Sequence, residues 1–257
     1  MPNSNCNGVL VNRMCHEIEV LAENMGSPEH LIVDFHTNVL YFSNFSIVED
    51  ILNYSCYLDL NTMELAKITQ PALSHGYTQA VDQDEHEVYI SDIDNIYKFF
   101  YNNKTVERVA TVSGIIDLMF YKDALYYSTY SQNFYTLING ESVEVEFMKI
   151  NNTKILAIDK DGYVFIRNDN GLYGKPKGSK YADRYKESSS QDFMAIDVNG
   201  LPYLSNATGV YFVNKGEKTL EKISDFISFN GFAFDKDNNM IFSDSERIIR
   251  LKLKTEV

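Results

Sequence analysis

Side chains that could bind a ligand or a metal recur at one position of a repeated sequence pattern. The pattern has six anchor positions, each at the end of a short apolar run: Asp34, Asp82, Tyr121, Asp159, Asp197 and Asp235. Five residues before each anchor stand Glu29, Tyr77, Ile116, Lys154, Asp192 and Asn230. Polar groups that recur at the start of otherwise apolar strands indicate a ring of side chains around one opening. Residues that only cap strand ends would give the same pattern; we favour the ring for Glu29, Asp192 and Asn230.

Short strands and polar turns surround each anchor. The last copy, Ser228 to Leu253, contains GFAFD, the turn KDNN and the alternating run IIRLKL. Short apolar runs separated by Asp, Asn and Gly are typical of an antiparallel meander. The copies follow one another at intervals of roughly 40 residues, as four-stranded propeller blades do. We therefore predict an all-β fold: a six-bladed β-propeller with four antiparallel strands per blade, formed by residues 1–257 as a single domain.

The last copy ends one strand short. Residues Glu17–Glu23, EIEVLAE, resemble the outer strands MELAKIT and TVERVAT of earlier copies. We predict that this N-terminal segment completes the last blade, because such a closure joins the two chain ends and removes an exposed sheet edge. A frayed N-terminal arm is the alternative.

Two segments interrupt the repeat. Ser46–Ser55 is inserted in the first copy and is expected to form a helical turn or a loop on one face of the disc, where partners tend to bind. Gly171–Gln191 carries five Lys and Arg residues in an acidic chain; it is interpreted as a solvated loop or as a lid or contact loop. Candidate contacts for a protein partner are Ile47 and Ile51 of the insertion and Leu65 of the following outer strand.

Composition limits the classes of partner and compartment. The formal net charge of -13 argues against binding to nucleic acid or to an anionic membrane, since both require a basic surface. No apolar run reaches about 18 residues, so no transmembrane helix is predicted. The N-terminal sequence MPNSNCNG lacks the features of a signal peptide. A mature secreted chain and a cytosolic protein both remain possible at this point.

The cysteines and glycosylation sequons bear on secretion. The three cysteines are Cys6, Cys15 and Cys56. A single bridge such as Cys6–Cys15 would suit an oxidising compartment, and three free thiols are the alternative. Sequons for N-glycosylation stand at Asn44, Asn53, Asn103, Asn151 and Asn206, which is compatible with a secreted glycoprotein.

Two blade sequences resemble those of senescence-marker and gluconolactonase-type six-bladed propellers: SQDFMAIDVNGLPYLS and NGFAFDKDNNMIFSDS. This resemblance implies a divalent metal, calcium or magnesium, held by Glu29, Asp192 and Asn230. The sequence departs from the family pattern, because His30 and Phe193 stand where the family has glycine. Lys154 in the same ring would repel a cation. We therefore expect a shared fold more than a retained calcium-dependent lactonase activity.

The N-terminal residues resemble a second family over a longer stretch. The sequence from Cys6 to Ser43 is similar to the start of lepidopteran ommochrome-binding proteins, which are secreted haemolymph propellers that carry tryptophan-derived pigments. The resemblance implies a secreted, non-enzymatic, monomeric insect protein that holds a small aromatic, pigment-like ligand at the mouth of the channel. The ligand contacts would be Glu29, Tyr77, Lys154, Asp192 and Asn230.

Related venom-R-like proteins of caterpillar oral secretions imply an alternative function. Some members of that group are implicated as effectors that bind a host-plant repressor of jasmonate signalling. By that resemblance the chain would dampen plant defence through a protein contact. Ommochrome binding, the effector role and the lactonase activity are thus the three functions that the sequence brings forward, in this order.

Overall fold

The computed structural model describes residues 6–46, 52–69, 75–131, 133–145, 154–168, 170–186, 193–227 and 230–254. These residues form 25 β-strands in six antiparallel sheets. They contain no helix of the length and apolar character needed to cross a membrane.

The strands follow the chain from blade to blade. An N-terminal hairpin consists of β1 (Val9–Val11) and β2 (Met14–Ala22). Blade one consists of β3 (Ser27–Asp34), β4 (Val39–Ser46), β5 (Leu52–Asp59) and β6 (Leu65–Lys67). Blade two consists of β7 (Thr78–Asp82), β8 (Glu87–Ser91), β9 (Asn95–Phe100) and β10 (Thr105–Thr111). Blade three consists of β11 (Ile115–Tyr121), β12 (Ala124–Thr129), β13 (Phe134–Ile138) and β14 (Glu141–Glu144).

The second half of the chain repeats this arrangement. Blade four consists of β15 (Lys154–Ile158), β16 (Val164–Asn168), β17 (Gly171–Lys175) and β18 (Asp183–Lys186). Blade five consists of β19 (Phe193–Ile196), β20 (Pro202–Asn206), β21 (Gly209–Asn214) and β22 (Thr219–Ser224). Blade six consists of β23 (Gly231–Phe234), β24 (Met240–Ser243) and β25 (Ile248–Leu253), joined by β2 and β1 in the order β1-β2-β25-β24-β23. The prediction of a six-bladed β-propeller is therefore confirmed.

The anchor aspartates shape the first hairpin turn of their blades. In blade six, Asp235 is fully buried, and its Oδ1 accepts hydrogen bonds from the backbone N–H groups of Asp237 (3.0 Å) and Asn239 (2.8 Å). The same kind of bond is made by Asp34, Asp82, Asp159 and Asp197. A buried carboxylate that satisfies the N–H groups of a tight turn explains why the residue recurs. In blade three, Tyr121 pairs directly with Ala124, so the shorter turn needs no carboxylate.

The N-terminal hairpin closes the ring as predicted, and the alternative of a frayed arm is wrong. Strand β2 pairs with β25 over a register that includes Ile18 opposite Leu251. The guanidinium of Arg250, which is 7% exposed, donates to Glu19 of β2 (2.9 Å) and to Asp235 of the first turn (3.1 Å). Strand β1 adds a fifth strand that the sequence pattern did not predict. Strand β2 therefore pairs with β25 and is also linked, through Arg250, to the first turn of blade six.

The cysteines divide into one bridge and one free thiol. Cys6 and Cys15 form a disulfide with their Cα atoms 5.5 Å apart, which ties the segment before β1 to β2. Cys56 is buried in blade one as a free thiol. Burial raises the pKa of the Cys56 thiol to about 12, so this group is protonated at neutral pH.

Apolar clusters fill the space between neighbouring blades. Phe232 and Phe242, on neighbouring strands of blade six, stack with ring centroids 4.9 Å apart in the cluster that packs this blade against blade five. At the seam between blades six and one, a Cβ on Gly231 would lie 2.5 Å from Leu31 Cδ1, so a larger residue there would require the Leu31 side chain to move. The flat side chains thus fill the inter-blade core, as aromatic residues in sheets commonly do.

The two interrupting segments contain more strand than expected. Pairing of β4 with β5 extends to Ser46 opposite Leu52, so the described ends of the insertion lengthen a hairpin and do not form a helical turn. Ile47 and Ile51 lie outside the described residues. The basic segment predicted as a loop instead contains β17 and β18, the two outer strands of blade four, and Lys175 within it is only 8% exposed.

Candidate ligand channel

A channel runs along the axis of the ring. The innermost strands β3, β7, β11, β15, β19 and β23 enclose a cavity of about 790 Å³, which is within the usual range for small-molecule sites. We call the end where these strands begin the upper mouth and the end where they finish the lower mouth. Half-buried apolar side chains line the wall between the two mouths: Ile32, Met119, Leu156, Phe193, Met194 and Ile196.

At the lower mouth, hydrogen bonds join neighbouring blades. The Gln83 side chain accepts from the Phe35 N–H (3.1 Å) and donates to the Val33 carbonyl (2.7 Å), which joins blades one and two. On the opposite side, Lys160 donates to the carbonyl of Asn199 (2.7 Å), which joins blades four and five. These groups are used in holding neighbouring blades together.

The structure places three of the predicted ring residues at the wall of the upper mouth. Glu29, Lys154 and Asn230 line the channel there. Tyr77 lies at the rim, with its ring centroid 6.0 Å from that of His30. Asp192 lies outside the described residues. The assignment of these residues to a ligand stays a prediction.

Glu29 and Asn230 share a polar contact across the seam that closes the ring. Asn230 Nδ2 donates to Ser27 Oγ (2.8 Å), and Ser27 Oγ donates to Glu29 Oε1 (3.4 Å). Burial raises the pKa of Glu29, while the Ser27 bond and the charge of Lys154 act in the opposite direction. The two blades that meet at this seam therefore present one connected polar group to the channel.

Asp117 is a candidate functional residue that the five-residue spacing from the anchors did not predict. A register shift between Ile115 and Asp117 places Asp117, and not the predicted Ile116, on the wall of the channel. Its carboxylate lies 3.4 Å from Lys154 Nζ and 3.8 Å from His30 Nδ1. Burial raises the pKa of Asp117, and the Lys154 charge opposes this effect. The sequence signal was present, because Asp117 opens the DLMFYKD copy of the repeat.

His30 enters the channel through a strained piece of backbone. It has φ 53, and the pairing of β3 with β4 shifts register between Glu29 and Ile32. Left-handed backbone is uncommon for residues other than glycine and tends to mark sites where the surrounding fold imposes it. Burial, together with the Lys154 charge, lowers the pKa of His30 to about 3, so the imidazole is neutral at physiological pH.

The described mouth does not fit a divalent cation. No cluster of three or more His, Cys, Asp or Glu side chains in the described part of the chain has the geometry to hold a metal ion. Asn230 directs its amide nitrogen, a donor, to Ser27, and the ammonium group of Lys154 occupies the same opening. A calcium or magnesium site needs converging oxygen ligands, so we derive no metal-dependent reaction from these residues.

The chain is similar to known proteins both in sequence and in fold. No protein-family model matches the sequence. The ommochrome-binding protein of Manduca sexta is 27% identical over 249 residues, which span 95% of this chain and 90% of that protein. The chain is a homologue of ommochrome-binding protein. The resemblance noted from residues Cys6 to Ser43 is thereby confirmed.

The structural neighbours confirm the second resemblance at the level of fold. A gluconolactonase from Xanthomonas campestris superimposes with a TM-score of 0.70 at 12% identity, over 97% of this chain and 96% of that one. The calcium-binding protein regucalcin from Agrobacterium tumefaciens gives 0.67 at 14% identity, over 92% and 95%. At such identities the likeness concerns the six-bladed architecture alone.

Proposed function

We propose that this protein is a secreted, non-enzymatic binding protein that holds a small aromatic, pigment-like molecule in its central channel. The observation that carries the proposal is the channel itself: an apolar wall below a mouth that bears Glu29, Asp117 and Lys154. An apolar cavity with a few converging polar groups is typical of a ligand site. The homology to ommochrome-binding protein and the Cys6–Cys15 disulfide support the ligand class and secretion, respectively.

An ommochrome titration tests this function. Xanthommatin is added to the purified protein, and the dissociation constant is measured by equilibrium dialysis with detection of the visible absorbance. Met194→Trp places a larger, aromatic side chain in the wall of the channel. It should weaken binding at least about tenfold, because the added volume overlaps the ligand. Tyr181→Trp, at a position 82% exposed, is the matched control and should bind like the natural sequence.

Two results would refute the proposal. The first is the absence of any saturable binding of the pigment to the natural protein. The second is equal binding by the Met194→Trp and Tyr181→Trp variants, which would place the pigment outside the channel. The natural chain has no tryptophan, so fluorescence of the single introduced indole reports directly whether the pigment lies near each position.

A second candidate function follows from the outer edge of blade one. Met63 and Leu65 are 43% and 42% exposed, and β6 is the terminal strand of its sheet. An open edge next to exposed apolar side chains can receive a segment of another protein. We propose that, if the chain is an oral-secretion effector, this edge contacts the host-plant repressor of jasmonate signalling.

A co-precipitation experiment separates this role from pigment binding. Leu65→Asp should abolish capture of the recombinant repressor, because it places a charge in the apolar contact. Ile138→Asp, at a position 50% exposed on blade three, is the control and should capture it normally. Equal capture by both variants would exclude this edge as the contact.

A further inference from the structure

Asp117 has acceptor capacity that the described residues of the protein do not use. The side chain is buried, yet its closest polar contacts among the described residues are Ser128 Oγ at 3.4 Å, Lys154 Nζ at 3.4 Å and His30 Nδ1 at 3.8 Å. Charge-assisted hydrogen bonds to a carboxylate are normally about 2.7–2.9 Å long. By contrast, the anchor Asp197 accepts backbone N–H groups at 2.8 and 2.9 Å. A buried carboxylate with only long contacts is poised to accept a donor from a bound molecule.

Within the described part of the chain, the Lys154 ammonium group is also incompletely used. It approaches Asp117 only at 3.4 Å, and its side chain is 42% exposed within the mouth. Arg167 lines the same channel and acts on Asp117 through its charge, and the Lys154 charge also acts on Glu29. The described mouth therefore presents carboxylates and cations side by side, immediately above the apolar wall.

This arrangement discriminates between kinds of head group. A ligand with only an ammonium group would approach Asp117 but would be repelled by Lys154. A ligand with only a carboxylate would approach Lys154 but would be repelled by Asp117 and Glu29. Since unpaired charge is costly away from water, each single-charge ligand leaves one protein group poorly compensated. A head group that carries both charges satisfies both partners.

We propose that the channel is specific for amphiphiles with a zwitterionic head group, such as the ammonium and carboxylate of an α-amino acid, attached to a flat apolar body. The ligand ammonium donates to the Asp117 carboxylate, and the ligand carboxylate accepts from Lys154 Nζ. The apolar body extends toward Met119 and Met194. This inference rests on the proposed function, because it assumes that the channel is the ligand site.

A panel of four indoles tests the specificity by displacement of bound xanthommatin. The probes are tryptophan, tryptamine, indole-3-propionate and 3-ethylindole, which share one ring and differ in their charges. Tryptophan should displace the pigment most strongly. Asp117→Asn should weaken tryptophan and tryptamine about tenfold or more, and Lys154→Met should weaken tryptophan and indole-3-propionate by a similar factor.

The single-charge probes give the sharper result, because the two substitutions should act on them in opposite directions. Lys154→Met should strengthen tryptamine by removing a repulsion, and Asp117→Asn should strengthen indole-3-propionate for the same reason. Asp94→Asn, an exposed carboxylate on the same face but outside the channel, should change none of the four affinities. Thermal unfolding of each variant verifies that it is folded.

The outcomes distinguish this inference from the proposed function. If xanthommatin binds but the four probes displace it equally, or none does, the zwitterion specificity is wrong and the channel function stands. If the two substitutions weaken all charged probes alike, the head group is not recognised by this pair. If xanthommatin does not bind the natural protein at all, the proposed function itself fails.

Discussion

His30 combines two energetically unfavourable features that packing alone does not explain. Its backbone is left-handed at φ 53, and its half-buried ring lies near the positively charged Lys154. Strain of this kind persists where the surrounding structure imposes it, often at binding sites. We interpret His30 as a neutral wall of the ligand mouth, next to Asp117 and within 6.0 Å of the Tyr77 ring.

The lowered pKa of His30 predicts a loss of stability in mild acid. Above pH 6.5 the imidazole is neutral in both the folded and the unfolded chain, so it adds no pH dependence. Between pH 6.5 and the folded pKa of about 3, the unfolded chain takes up a proton that the folded protein does not, and the free energy of unfolding falls as the pH falls. From pH 7 to pH 5 this amounts to about 2 kcal/mol.

Urea unfolding at pH 7 and pH 5 measures the effect. His30→Asn should lose about 2 kcal/mol less than the natural protein over this range, and Asn tolerates a left-handed backbone. His86→Asn, at an exposed position with φ 57, controls for the exchange of these side chains in that conformation. An equal pH dependence of His30→Asn and the natural protein would contradict the prediction.

At the scale of the element, the closure strand β2 depends on Arg250. This buried guanidinium joins Glu19 on β2 to Asp235 in the first turn of blade six. Arg250→Met should lower the free energy of unfolding by about 3 kcal/mol or more, because it removes one member of a buried ion pair and leaves the Asp235 charge without its cation. Glu19→Gln, at a side chain 36% exposed, should cost about 1 kcal/mol or less. Urea unfolding at pH 7 checks both values, and equal losses would show that burial does not decide the contribution of this network.

The blades could be predicted from the sequence because their signals are local. Outside blade three, the Asp of the first turn binds N–H groups two to four residues away, so Asp197 or Asp235 marks its own hairpin. The closure by β2 could be predicted for a related reason, since the last copy lacked one strand. Each of these features follows from spacing along the chain alone.

The channel wall could be predicted only in part, because it depends on register shifts between strands. The fixed register selects Glu29, Lys154 and Asn230, which line the channel. Irregular pairing near Ile115 exchanges Ile116 for Asp117, and a separate shift between Glu29 and Ile32 brings His30 into the channel. Such shifts depend on packing between strands that are distant in the sequence. Spacing within one copy therefore could not reveal them.

On the scale of the whole molecule, the ring is closed at one place, and the disulfide lies beside it. Strands β1 and β2 meet at a tight turn in which Asn12 and Arg13 have φ 48 and 67. The Asn12 N–H donates to the Ile223 carbonyl of blade five (2.8 Å), so the hairpin also contacts the neighbouring blade. The Cys6–Cys15 bridge restrains this hairpin in the unfolded chain, with a separation of 9 residues between the two cysteines.

Removal of this bridge should weaken the whole propeller and not only its N-terminus, because unpairing of β2 leaves an open edge on blade six. A double substitution, Cys6→Ser with Cys15→Ser, should lower the free energy of unfolding by about 2–3 kcal/mol, the usual loss for a short disulfide loop. Urea unfolding followed by far-ultraviolet circular dichroism should show one cooperative transition at a lower midpoint. Cys56→Ser separates this effect from general loss of a thiol, since Cys56 lies in the core of blade one and makes no bridge. The contrary result is an unchanged midpoint with only a higher protease sensitivity of the first residues. It would show that pairing of β2 with β25 is sufficient to close the ring without the bridge.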